Sequence, residues 1–199
     1  MRIPRNWNEL TVGQYEDLYP TFTKEYKNPL DKIIEQLMVL SKCSEQEVEQ
    51  LTIAELEELK KDMEFLNGDI QGRLVKTFKV GGKRYRFETN AKKLKGGSYM
   101  TAMHIQENSP HTNLHKVLFN IATPVNWFRR DKKQDIDYEE EIEHFKDIPM
   151  SIAYPMVSFF LLLSKALTVY TEDYLHDQVK QMNQKMMELK EDLVKDSDG

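Results

Sequence analysis

The chain has a single cysteine, Cys43, in 199 residues. One thiol cannot close an internal disulfide, so the fold must be held by its core. The opening stretch MRIPRNWNELTVGQYEDL has no apolar centre of the kind a secretory signal needs. The expected compartment is therefore a reducing cytoplasm. Glycine is scarce at eight residues, and neither Gly81-Gly82 nor Gly96-Gly97 is followed by the pattern of a phosphate-binding loop. No nucleophile elbow and no cysteine–histidine pair can be assembled. The acids Asp135, Asp137, Glu139, Glu140, Glu141 and Glu143 lack the glycine and closing glutamate of a calcium loop. His111 and His115 have a spacing at which two imidazoles share a metal, but no cysteine or carboxylate joins them locally. His104, His144 and His176 are scattered. These absences lead to the expectation of a non-enzymatic protein with no metal and no cofactor.

An excess of positive charge is missing too. The net charge is -5, which argues against generic nucleic-acid binding. The distribution is uneven, however. Arg73 to Lys95 holds nine basic residues against one acid, Glu88, a local +8 that leaves -13 for the rest of the chain.

What the chain does have is apolar content, 40% of its residues, enough for one sizeable core. Pro155 to Tyr170 is apolar on every helical face, the mark of a helix at the centre of a bundle or in a membrane. The uncharged run Ile148–Ser164 is 17 residues long and interrupted by Pro149 and Pro155, shorter than the roughly 20 residues a span needs. A buried core helix is the expectation, with no membrane contact.

Helix signals punctuate the rest. Thr11 with Gln14, Ser44 with Glu47 and Thr52 with Glu55 are capping boxes, and Asn28-Pro29 supplies a cap and a first-turn proline. They predict helices over Val12–Tyr19 (ended by Pro20), from Pro29, after Ser44, and over Ile53–Leu66. Further helices are expected over Gly97–Gln106, Asn113–Ala122 and Tyr138–Phe145. LKGGSY at 94–99 echoes LTVGQY at 10–15, as internal duplication or as two helix starts of similar design.

Between them the period changes to two. LVKTFKV and KRYRFE alternate around Gly81-Gly82, a two-residue hairpin turn. Pairing outward sets Val80 against Lys83, Lys79 against Arg84, Phe78 against Tyr85 and Thr77 against Arg86. One face then carries Leu74, Phe78, Val80, Tyr85 and Phe87, and the other Lys79, Arg84 and Arg86. Three readings stay open for that basic face: a solvated edge, a dock for an acidic partner (the chain's own acidic loop or another copy's tail included), or a nucleic-acid contact. The last third ends differently. Leu175, Val179, Met182, Met186, Leu189 and Leu193 follow a 4-3-4-3-4 spacing, an a/d seam able to pack on the chain's own bundle, a second copy or a partner helix.

The expected architecture is mainly α: a multi-helix bundle around a central apolar helix, with one β-hairpin and a long C-terminal amphipathic helix. Residues 1–170 form a helical domain with the hairpin inserted at about 74–88, 171–195 the heptad helix, and 196–199 a disordered tail. LTVGQYEDLY, then NPLDKIIEQLMVLSKCSEQEVEQLTIAELEEL, the FKVGGKRYRF hairpin and the LKGGSY start together resemble a group of small virion-assembly proteins of tailed bacteriophages, the tail assembly chaperones. The pieces that carry the resemblance are Leu10, Gly13, Gln14, Tyr15 and the hairpin. It implies a chaperone-like role in the host cytoplasm, holding a helical tail component, or a place in the virion as a structural protein docked by its hairpin. A phage-encoded binding module acting on a host protein is the third possibility. The expected partner is a protein, with nucleic acid disfavoured and a homo-oligomer open. Partner contacts are expected at Leu175, Val179, Met182, Met186, Leu189 and Leu193, and at Lys79, Arg84 and Arg86.

Overall fold

The computed structural model describes residues 1–90, 93, 95–109, 111–125, 138–168 and 180. It is mainly helical, with a small antiparallel sheet. The helices are α1 (Val12–Thr23), α2 (Pro29–Ser41), α3 (Glu45–Glu49), α4 (Ile53–Asp62), α5 (Gly96–Asn108), α6 (Leu114–Ile121) and α7 (Tyr138–Glu143), then α8 (Met150–Thr168). The sheet is β1 (Thr77–Val80), β2 (Lys83–Phe87) and β3 (Ala122–Pro124), in the order β1-β2-β3. Two compact units are present, Met1–Phe160 and Leu161–Gly199. The expected domain boundary after Tyr170, the heptad seam and the tail lie outside the described residues.

The first unit is organised on a junction between the starts of α1 and α8. Met150 N–H donates to Leu10 C=O at 2.8 Å, Ser151 N–H to Trp7 C=O at 2.9 Å, and Val12 N–H to Ile148 C=O at 2.8 Å. The first N–H groups of a helix have no partner within it. Here backbone carbonyls from residues 7 and 10 fill that role for α8. Leu10, Val12 and Met150 are buried at the junction, and Leu18, Ala153, Met156 and Phe160 are buried further along the two helices.

Pro155 leaves a second gap. It has no N–H for the carbonyl four residues earlier, that of Ser151. Arg73 N–H fills it at 3.2 Å. The approach is so close that a Cβ on Gly72 would lie 2.0 Å from the Ser151 oxygen and 2.9 Å from Pro155 Cγ. Pro155 therefore does not break α8, and glycine is required at 72 for steric reasons.

The three capping boxes form as the sequence predicts, at Thr11, Ser44 and Thr52, and Asn28 caps α2. α1 differs at its other end, running through Pro20 to Thr23. The last turn is held without the missing bond: Thr21 Oγ1 donates to Leu18 C=O at 2.8 Å, and Lys24 N–H to Pro20 C=O at 3.1 Å. The helix expected to reach Leu66 ends at Asp62 and continues as a 3-10 turn over Glu64–Asn67. The echo between 10–15 and 94–99 does not extend to packing. A Cβ on Gly13 would sit 3.1 Å from Lys146 Cβ, whereas one on Gly97 meets nothing within 4 Å, and α5 has no side-chain cap.

The first part of the central apolar helix is core. Met150 to Phe160 contributes six buried residues, but the first unit ends at Phe160, and beyond it Leu162 is 69% exposed. Among the described residues α8 is the one helix long and apolar enough to cross a membrane. In its first half, those apolar residues are used for packing: Phe160 lies edge-on to Tyr99 and Phe159 edge-on to Phe87.

Candidate functional site

The hairpin turn places both Gly81 and Gly82 at positive φ, +54° and +70°. Only a primed turn has this geometry, and its twist matches the flanking strands. The resulting register is Thr77 to Arg86, Phe78 to Tyr85, Lys79 to Arg84 and Val80 to Lys83, as the alternation predicts. β3 then adds to the far side of β2, with Thr123 opposite Arg86 and Pro124 opposite Tyr85. Val125 N–H donates to Arg84 C=O at 2.8 Å. That bond alternation turns the ring nitrogen of Pro124 to the outer edge, where no ladder hydrogen bond is lost.

Pleating separates two faces. Phe78, Val80, Tyr85 and Phe87 are buried. The rings of Phe78 and Tyr85 both meet Phe145 edge-on, at 6.1 and 4.9 Å between centroids. Leu74, expected on this face, is 41% exposed because β1 starts three residues later, at Thr77, and the backbone before it is turned toward Ser151. Lys79, Arg84 and Arg86 are exposed on the other face, as expected. Lys79 and Arg84 are cross-strand neighbours and Arg86 is two residues along, roughly 7 Å away. Each such pair repels by about 0.6 kcal/mol even in water. Among the described residues none of the three makes an ion pair.

The acidic stretch does reach the hairpin, but on the buried side. Glu141, 4% exposed, accepts from Lys83 Nζ at 3.0 Å and from the Tyr85 hydroxyl. Lys83 shares the face of Tyr85, so this bridge leaves the outer cations untouched. The sequence carries a faint signal for it: Glu141 is four residues before the buried Phe145, on the same helical side, and a carboxylate there needs a partner.

A second buried polar group joins α1 to α6. Glu16 is 8% exposed and His115 3%. His115 Nδ1 lies 2.8 Å from Glu16 Oε2, and the His115 backbone N–H donates to Glu16 Oε1 at 3.1 Å. Glu16 thus caps the start of α6 from another helix. Among the described residues His115 Nε2 has no hydrogen-bond partner, and it lies 3.7 Å from Glu143 Oε1. His111 is elsewhere, stacked on Tyr19 at 4.1 Å, and burial pushes its pKa down. The two histidines have different partners, and no cluster of metal-ligating side chains occurs among the described residues.

No family model matches the chain, and no curated protein or solved structure matches it. The site is therefore defined by its own geometry: an outer sheet face with three cations that make no ion pair among the described residues, on a scaffold whose other face is fixed by aromatic packing and by the ion pair of Lys83 with the buried Glu141. The remaining expected partner residues, Leu175, Val179, Met182, Met186, Leu189 and Leu193, lie outside the described residues.

Proposed function

We propose that the chain is a non-enzymatic assembly protein of a tailed bacteriophage, acting in the host cytoplasm, that docks on an acidic surface of a tail component through the outer face of its sheet. The observation that carries this reading is the grouping of Lys79, Arg84 and Arg86 on one exposed face, while Lys83 on the opposite face has its own buried carboxylate. Keeping like charges adjacent costs stability, and an acidic partner recovers that cost on binding. The heptad-spaced residues from Leu175 to Leu193 suit a helical tail component held until the tube assembles. Incorporation as a structural virion protein docked by the same face is the second reading, and the same cations favour it.

The test is affinity capture from infected cells with the wild type and with Lys79→Glu/Arg84→Glu. The expected result is one tail protein retained at low salt, released as ionic strength rises, and lost in the double variant. Capture that survives both salt and charge reversal would refute the docking face. Stoichiometric retention of the chain in purified particles would replace the chaperone role with the structural one.

A further inference from the structure

Beside the outer edge of β3 lies a cleft of about 670 Å³, within the size range of small-molecule sites. Its walls are of two kinds. Phe119, Ile121 and Pro124 are its apolar lining residues, and Arg86, Lys93 and Lys95 its cationic ones. Two carboxylates also line it. Glu141 is already bound to Lys83, and Glu88 is folded back on its own chain, accepting the Asn90 N–H at 3.1 Å. Among the described residues none of the three cations makes an ion pair.

An apolar wall alone would admit any hydrophobic ligand, and exposed cations alone any anion. Their combination selects a molecule with both parts. A carboxylate brings one negative charge to three cations, whereas a phosphate monoester presents three oxygens and up to two charges. Arginine adds a planar fork suited to phosphate, and the Ser98 and Thr123 side chains line the same cleft with hydroxyl donors.

We propose that this cleft is a binding site for a nucleoside monophosphate or an organic phosphate of that size and shape, its phosphate held by Arg86, Lys93 and Lys95 and its ring body against Phe119, Ile121 and Pro124. The cleft shares Arg86 with the docking face, whereas Lys79 and Arg84 do not line it.

The test titrates AMP, adenosine and inorganic phosphate into the full isotope-labelled chain, followed by amide shifts. AMP should saturate at one equivalent, shifting Ser98 and Thr123, with adenosine and phosphate each at least tenfold weaker. Lys93→Glu/Lys95→Glu should weaken AMP at least tenfold. Ser98→Trp, which fills the cleft and keeps every cation, should do the same. Lys79→Glu/Arg84→Glu should change AMP affinity less than twofold. The proposal is overturned if AMP does not saturate, if adenosine binds as well as AMP, or if Ser98→Trp binds like the wild type. A loss in Lys79→Glu/Arg84→Glu equal to that in the cleft variants would also overturn it, since AMP would then be reading only general positive charge.

Discussion

Gly72→Ala should destabilise the first unit by about 1–3 kcal/mol, although the position is exposed and its backbone φ is ordinary. The added Cβ would meet the Ser151 oxygen at 2.0 Å, the Ser151 carbon at 2.7 Å and Pro155 Cγ at 2.9 Å. None of these is the flexible end of a side chain, so the strand of chain must lift away. Doing so breaks the bond from Arg73 N–H to Ser151 C=O, and a buried acceptor left unpaired costs about 1–3 kcal/mol. Holding the bond against overpacking costs a similar amount, about 1–3 kcal/mol. Urea unfolding followed by helical circular dichroism and by tryptophan fluorescence would measure the change, and coincident transitions would license the two-state treatment. The informative step is a cycle with Pro155→Ala. Alanine at 155 restores an N–H four residues after Ser151, so lifting residue 72 away no longer orphans that carbonyl. The cost of Gly72→Ala should fall by about 1 kcal/mol in that background. Gly68→Ala, whose Cβ would be 3.6 Å from the nearest atom, is the control and should change little. A Gly72→Ala cost below about 0.5 kcal/mol, or the same cost with and without Pro155, would refute the account.

Three further outcomes follow from buried and capping groups. Glu141→Ala should cost about 2–3 kcal/mol by denaturant unfolding, since it strips the buried Tyr85 hydroxyl of an acceptor, while Lys83 stays half exposed to water; Tyr85→Phe should cost about 1 kcal/mol. Glu16→Ala should destabilise by at least about 2 kcal/mol, because it removes the acceptor of both the ring and the backbone N–H of His115, and amide exchange should accelerate first in α6. In acid, α3 and α4 should loosen. The Ser44 backbone and hydroxyl hold the Glu47 carboxyl below its ordinary range, and the Thr52 hydroxyl and backbone do the same for Glu55. A carboxyl whose folded pKa is depressed contributes fully above its unfolded value and loses that contribution as pH falls through the folded one. Carboxyl-carbon titration by magnetic resonance should give both midpoints below that of a free glutamate, with Thr52→Ala moving Glu55 part of the way back, since the backbone N–H at 52 remains.

Local chemistry was legible in the sequence. The hairpin could be registered residue by residue, because a two-residue glycine turn and a period of two leave a single pairing that puts the aromatic residues together. The capping boxes were likewise visible, since each is complete within four residues. β3 was hidden: three residues, Ala122 to Pro124, have no alternation to read, and their partner strand is some 35 positions earlier. Pro20 looked like a stop and Pro155 like a kink or restart, because the bonds around them, Thr21 hydroxyl to Leu18 C=O in one case and Arg73 N–H to Ser151 C=O in the other, come from side chains or from distant backbone. The outer cations of the candidate site were found from strand parity alone. The cleft beside β3 was not, because its walls come from three separated segments that only the tertiary fold brings together.

The carbonyls of Trp7 and Leu10 that receive the first amides of α8 set an order of events during synthesis. Those two groups leave the ribosome about 140 residues before their partners, Met150 and Ser151. Until then the buried Leu10 and Val12 have no central helix to lie against, although Trp7 already has Phe65 as an edge-on partner. The junction closes late, by contacts of long sequence separation, which are the slowest kind to form. Ribosome-stalled chains in which Met150 to Phe160 have or have not cleared the exit tunnel should therefore differ in protease resistance, the shorter being cut more readily around Trp7 to Val12.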